Sequence, residues 1–279
     1  MEMVYIYDHI LQNRLSHFFN LKMDAEPTKV DENNFIPVWN RDIDRFNHNP
    51  NIPESFRMLI VGPSNSGKTV LLNKILLTPN YLDYNNLIIF SKTIDQPEMQ
   101  IIFNGFNNGL TKDDIIYIFN NQYTFNKNAT PKIICETIAE LRNYPKPIIN
   151  VTMSNKYHEI PRCDTLDKNK KNLIVFDDCV NDKNQEIMES YFTRGRHNKC
   201  NCIYLSQNYY DLPSRSIRGN SNFFIFFQLS KRNKDNIYTD LFSNIIEKND
   251  YNLLDGHLSQ KHNYIALDKE KQKVYEKIL

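Results

Sequence analysis

Residues Gly62-Pro63-Ser64-Asn65-Ser66-Gly67-Lys68-Thr69 carry two glycines, a lysine and a hydroxyl at the spacing of a phosphate-binding loop. The apolar run Met58-Leu59-Ile60-Val61 leads in like a buried strand, and Val70 to Leu76 leads out like a helix. That strand–loop–helix context commits the chain to an α/β fold. Backbone N–H groups of such a loop curl around an anion at the positive end of the helix. The chain has only seven glycines, and two of them stand where this loop demands them. Lys68 suits a bridge between β- and γ-phosphates, and the Thr69 hydroxyl suits Mg²⁺. ATP and Mg²⁺ are the expected cofactors.

From Phe56 onward, strand-like apolar runs alternate with helical patterns. The runs are Met58–Val61, Leu87–Phe90, Ile115–Phe119, Ile148–Val151, Leu173–Phe176, Ile203–Leu205 and Phe223–Phe227. Several are apolar without alternation, as in strands covered on both faces of a parallel sheet. Helical patterns fall at 95–104, 131–143, 183–194 and 233–247. The expected fold is α/β, a mostly parallel sheet with helices on both faces. Tyr264–Asp268 and Gln272–Tyr275 read as a closing C-terminal β-hairpin, and the Asn-rich stretch from Asn104 to Asn128 as a mobile insertion. Residues 1–50 stand apart as an N-terminal extension: an amphipathic segment (Ile6, Ile10, Leu15, Phe18) followed by a polar linker. Residues 51–279 form the expected P-loop ATPase domain.

Leu173-Ile174-Val175-Phe176 ends in Asp177-Asp178. In open α/β sheets, ligands sit beyond the carboxyl ends of the strands. Asp177 therefore suits the metal shell with Thr69, and Asp178 suits polarising the attacking water. The pair also fits a helix N-cap after a buried strand. Gln207, at the end of the Cys200–Leu205 strand, is placed to hydrogen-bond a γ-phosphate or the water. Residues 191–234 hold eight basic side chains against the single acid Asp211, in a chain of formal net charge +1. Basic clusters of this kind neutralise nucleic-acid phosphates, although a solvated basic face gives the same pattern. Arg196 and Arg194 are candidates for an arginine delivered to a neighbouring subunit's γ-phosphate. Cys200, Cys202 and His197 resemble three zinc ligands, but no fourth is evident and alternation makes both cysteines small hydrophobes on one strand face.

A hydrophobic content of 41% suffices for a packed core. The odd number of cysteines, five, without regular spacing, points to a reducing compartment. No signal peptide is read at the N-terminus, and the most apolar stretch, Phe223–Phe227, is too short to span a bilayer. A soluble intracellular protein that does not engage membranes is expected.

The ordered set Gly62–Thr69, Asp177-Asp178, Thr193-Arg194-Gly195-Arg196-His197-Asn198, Leu205-Ser206-Gln207 and Phe223–Phe227 resembles the FtsK–HerA superfamily of DNA-pumping ATPases. Within it, the set most resembles the poxvirus-type packaging ATPases of large DNA viruses, virophages and Maverick/Polinton elements. The resemblance spans roughly residues 55 to 230. It implies a RecA-like core assembling as a homo-oligomeric ring, a hexamer, that drives double-stranded DNA into a capsid, with a capsid or portal protein as partner. It places the protein at a viral assembly site in the host cytoplasm or nucleus. By the same resemblance Lys68 and Thr69 bind nucleotide and Mg²⁺, Gln207 takes the sensor place and Arg196 best fits the trans-acting arginine. Asp178 stands where many cellular members have Glu. Two other readings stay open: a nucleotide-gated assembly switch with slow hydrolysis that binds capsid components, and a small-molecule kinase.

Overall fold

The computed structural model describes residues 48–121, 125, 129–142, 149–180, 185–276 and 278. The amphipathic segment and most of the linker read within residues 1–50 lie outside them. The strands are β1 (Arg57–Val61), β2 (Asn86–Ser91), β3 (Asn150–Ser154), β4 (Asn172–Asp177), β5 (Cys200–Ser206), β6 (Phe223–Phe227), β7 (Tyr264–Asp268) and β8 (Lys273–Tyr275). Their order across one sheet is β3-β2-β4-β5-β1-β6-β7-β8. β1 to β6 run parallel, while β7 and β8 add antiparallel at the β6 edge. The expected mostly parallel sheet and C-terminal hairpin are both present. β5, later in sequence than β4, is inserted between β4 and β1, which brings the acidic strand within one strand of the loop strand.

The helices are α1 (Lys68–Leu77), α2 (Pro97–Asn107), α3 (Lys112–Asn120), α4 (Pro131–Arg142), α5 (Glu186–Arg194), α6 (Lys231–Ile237) and α7 (Lys248–Leu258). The chain falls into two compact units. The smaller holds α2, α3 and α4, closed by an ion pair from Arg142 Nη1 to the buried Asp114 Oδ1 at 2.8 Å. The larger, Asn47–Asp95 with Ile149–Leu279, holds the whole sheet.

Strand periodicity assigns one sheet face to Leu59, Val61, Ile88, Phe90, Ile174 and Phe176, which join Met188, Tyr191 and Phe192 of α5 in one hydrophobic cluster. Phe176 meets the Tyr191 ring edge-on at 5.6 Å. Met58, Ile60, Leu87, Ile89, Leu173 and Val175, on the other face, are equally buried. The unalternating apolar runs therefore reflect strands covered on both sides.

Three expectations are corrected. Ile115–Phe119 is not a strand but the middle of α3. Thr111 and Asp114 form a reciprocal capping box that starts the helix, and Ile115 and Ile118 bury at helical spacing. Asn104–Asn128 is accordingly no structureless insertion, since its described part contains the end of α2 and all of α3. The helical pattern at 233–247 ends early: α6 passes into a π-helical turn at Tyr238–Phe242, and a separate helix, α7, follows from Lys248. The π-turn lets Tyr238, Phe242 and Tyr251 pack ring against ring at 5.0 Å, which local spacing did not announce.

Candidate nucleotide-binding site

β1 ends at Val61, and Gly62 N donates to Ser206 O of β5 at 3.1 Å, pinning the loop's first turn to the neighbouring strand. Gly62 is required sterically: a Cβ there would stand 2.7 Å from both Phe227 Cβ and Ser66 Oγ. Gly67 has φ 105°, a conformation that side chains resist, and it opens α1. Lys68 Nζ folds back over the loop and donates to Gly62 O at 2.6 Å and Pro63 O at 2.8 Å. The buried Ser66 Oγ finds no hydrogen-bond partner among the described residues.

Asp177 closes β4 and is buried; Asp178, beyond it, is exposed. In register, Asp177 pairs with Leu205 and Val61 with Ser206, so the acidic pair, Gln207 and the loop leave the sheet side by side at its carboxyl edge. Burial pushes the Lys68 ammonium below its usual pKa, and the charges of Asp177 and Asp178 pull it back up. Burial, more than any other cause, raises the Asp177 carboxyl, with Asp178 adding to the rise and the Ser91 hydrogen bond and Lys68 opposing it. Lys68 and Asp177, both desolvated by burial, thus lie near enough for each charge to act on the other. Asp178 has φ 54°, a strained backbone for a residue with a Cβ. The N-cap alternative for this pair fails, because the described chain does not enter a helix directly after it: α5 begins at Glu186.

β2 supplies residues that the sequence reading missed. Ser91 Oγ donates to Asp177 Oδ2 at 3.1 Å and accepts from Thr93 N at 3.1 Å. Ser91 is the first polar residue after Leu87–Phe90, so the rule that drew attention to Asp177 also marks it. His262, whose Nδ1 lies 3.0 Å from Ser66 O, carries no comparable mark in the sequence.

The donor set fits the expected cofactors. The glycine-lined turn and Lys68 suit a polyphosphate, and the Thr69 hydroxyl with the Asp177 and Asp178 carboxylates are hard oxygen donors suited to Mg²⁺.

The family model for the poxvirus A32 protein matches residues 43–256, a span holding the loop, the acidic pair and Gln207. The chain belongs to the poxvirus A32 protein family. The resemblance read from the ordered motifs is thereby borne out. Solved structures similar to this A32-family chain include two genome-packaging proteins. The NTPase B204 from Sulfolobus turreted icosahedral virus 2, in complex with AMP, has 11% identity and a TM-score of 0.44, covering 82% of this chain and 100% of that one. The DNA-packaging ATPase B204 from Sulfolobus turreted icosahedral virus has 12% identity and a TM-score of 0.46, covering 80% and 96%. VirB4 of Thermoanaerobacter pseudethanolicus has 10% identity and a TM-score of 0.42, covering 76% and 86%. No curated protein matches significantly.

Arg194 and Arg196 are not brought to the loop of this A32-family chain. Arg194 ends α5 and Arg196 lies in the 3₁₀ turn Gly195–Asn198, both before β5, hence at the amino edge of the sheet. The seven residues of β5 separate that edge from Gln207, about 20 Å at the usual rise per residue. Exposed Arg196 lines a cleft of about 750 Å³ with Arg57, Glu54, Glu270 and Lys271.

The basic stretch 191–234, continuous in sequence, is dispersed in space. Arg218 stacks over Tyr209 and Tyr210 at 4.9 and 5.0 Å, and Lys234 pairs with Asp255. Arg194, Arg196, Lys199, Arg215, Lys231 and Arg232 are exposed. Cys200 and Cys202 sit in the hydrophobic core, and among the described residues no three or more His, Cys, Asp or Glu side chains gather as metal ligands. No helix among the described residues is long and apolar enough to cross a membrane.

Proposed function

We propose that this chain is the ATPase of a viral or virus-like genome-packaging motor, an ATP-driven translocase of double-stranded DNA. The observation that carries this reading is the meeting of Lys68, Asp177, Asp178 and Gln207 at one sheet edge, in a chain of the A32 family. Residues 51–279 constitute the ATPase domain, and residues 1–50 an extension to it.

In this reading Gly62–Thr69 hold the nucleotide's phosphates and Lys68 exchanges its two loop carbonyls for β- and γ-phosphate oxygens. Thr69 and Asp177 would hold Mg²⁺, with Ser91 fixing the carboxylate. ATP as substrate would supply the phosphoanhydride bond, and Mg²⁺, when bound, would supply positive charge beside its phosphates. Asp178 orients the attacking water and accepts its proton, while Gln207 hydrogen-bonds the water or the γ-phosphate. Arg196, on the far edge, cannot serve its own loop, but in a ring it is free to reach the loop of the next subunit. A guanidinium there stabilises charge that appears only in the transition state. Loss of the γ-phosphate loosens that interface and shifts the exposed basic side chains along DNA.

The test is ATP turnover by the purified chain across a protein concentration series, with and without duplex DNA. Stimulation by DNA that grows with oligomerisation is expected, as is DNA affinity that falls steeply with salt. Turnover indifferent to both DNA and concentration would falsify the motor and leave the nucleotide-gated assembly switch as the better account.

A further inference from the structure

The phosphate loop is gripped from outside by a residue distant in sequence. His262 lies between α7 and β7, 196 positions from Ser66, and its Nδ1 stands 3.0 Å from the Ser66 carbonyl oxygen. A carbonyl only accepts, so Nδ1 carries the hydrogen. The same ring covers Gly67: a Cβ on that residue would lie 3.1 Å from His262 Nδ1 and 3.6 Å from Phe227 Cε1. His262 adopts φ 68°, a left-handed backbone that residues with a Cβ adopt only rarely. The contact is therefore held against local strain.

Peptide geometry gives this contact a consequence. The Ser66 carbonyl and the Gly67 N–H belong to one planar trans peptide unit and point in opposite directions. A carbonyl held on His262 turns the Gly67 N–H away from the imidazole, toward the side where a phosphate loop gathers its N–H groups. Gly67 lacks a Cβ to resist rotation of that unit, so the restraint has to come from elsewhere. Phe227, at the end of β6, backs the loop at Gly62 and Gly67 alike.

We propose that His262 is a positioning residue for nucleotide binding, locking the Ser66–Gly67 peptide so that the Gly67 N–H is presented to a bound phosphate. This rests on the nucleotide-binding reading above and extends the site to the connection that enters the antiparallel strands.

The experiment titrates a fluorescent ATP analogue, with Mg²⁺, into the full chain as wild type, His262→Ala, His262→Asn and Lys68→Ala, and records the thermal midpoint of each without nucleotide. Asparagine offers an amide N–H close to where Nδ1 stands and tolerates the left-handed backbone. His262→Ala is expected to weaken binding about three- to tenfold at an unchanged midpoint, the loss of one hydrogen bond, with His262→Asn near wild type. Wild-type affinity in His262→Ala, equal weakening in both variants, or a midpoint that falls along with affinity overturns the positioning role alone. A wild-type chain binding no better than Lys68→Ala overturns the nucleotide-binding reading, and this inference with it.

Discussion

Ser91 Oγ, at the end of β2, donates a hydrogen bond across 3.1 Å to Oδ2 of Asp177, its register partner at the end of β4. The bond uses a side chain that is itself fully buried to aim a carboxylate that burial disfavours as an anion. Outer partners that orient a metal-binding carboxylate are typically worth ten- to a hundredfold in metal affinity or activity. Ser91→Ala should therefore raise the Mg²⁺ requirement for ATP turnover by about tenfold while nucleotide binding holds. Turnover against Mg²⁺ concentration checks this, and an unmoved Mg²⁺ curve counts against the role.

Asp178 combines exposure with φ 54°. Asparagine keeps both the size and the tolerance of that backbone, so Asp178→Asn isolates the carboxylate. We expect ATP affinity close to wild type and a turnover lower by about 10²- to 10⁴-fold. Single-turnover hydrolysis makes the measurement, and undiminished hydrolysis assigns the base elsewhere.

Arg196 stands at the amino edge of the sheet, beyond reach of its own loop. Arg196→Ala should leave ATP binding intact and cut turnover about 10³-fold or more. Mixing it with Lys68→Ala protein adds a sharper check. An Arg196→Ala loop beside a Lys68→Ala neighbour rebuilds one complete site, so mixtures should recover activity that neither variant has alone. No recovery would argue for a structural role for Arg196.

The capping box at Thr111 decides that residues 112–120 form a helix. Thr111→Ala removes the side-chain acceptor for Asp114 N and should cost about 1 kcal/mol in stability. A shifted denaturation midpoint with unchanged ATP turnover is expected, because α3 belongs to the smaller unit and carries none of the residues of the nucleotide site.

Much of the fold was legible because buried parallel strands need continuous apolar runs, and these stand out wherever turns flank them. Leu87–Phe90 and Leu173–Phe176 became β2 and β4 for that reason. Ile115–Phe119 misled because five apolar residues satisfy a strand and a helix equally well, and only the Thr111–Asp114 cap separates them. The boundary between α6 and α7 was hidden because the π-helical turn at Tyr238 answers to ring packing with Tyr251, not to local spacing.

The sequence by itself determined the loop, the acidic pair at a strand end and the terminal hairpin. Each is set by neighbours along the chain: glycine at a constrained turn, an apolar strand before a carboxylate, two short strand-like runs separated by a few polar residues. Only the tertiary structure decided that β5 enters between β1 and β4, that Ser91 meets Asp177, that His262 meets Ser66 and that the basic stretch disperses. Those are relations between segments as far as 196 residues apart. Such contacts follow from sheet order and side-chain packing, which no local pattern encodes.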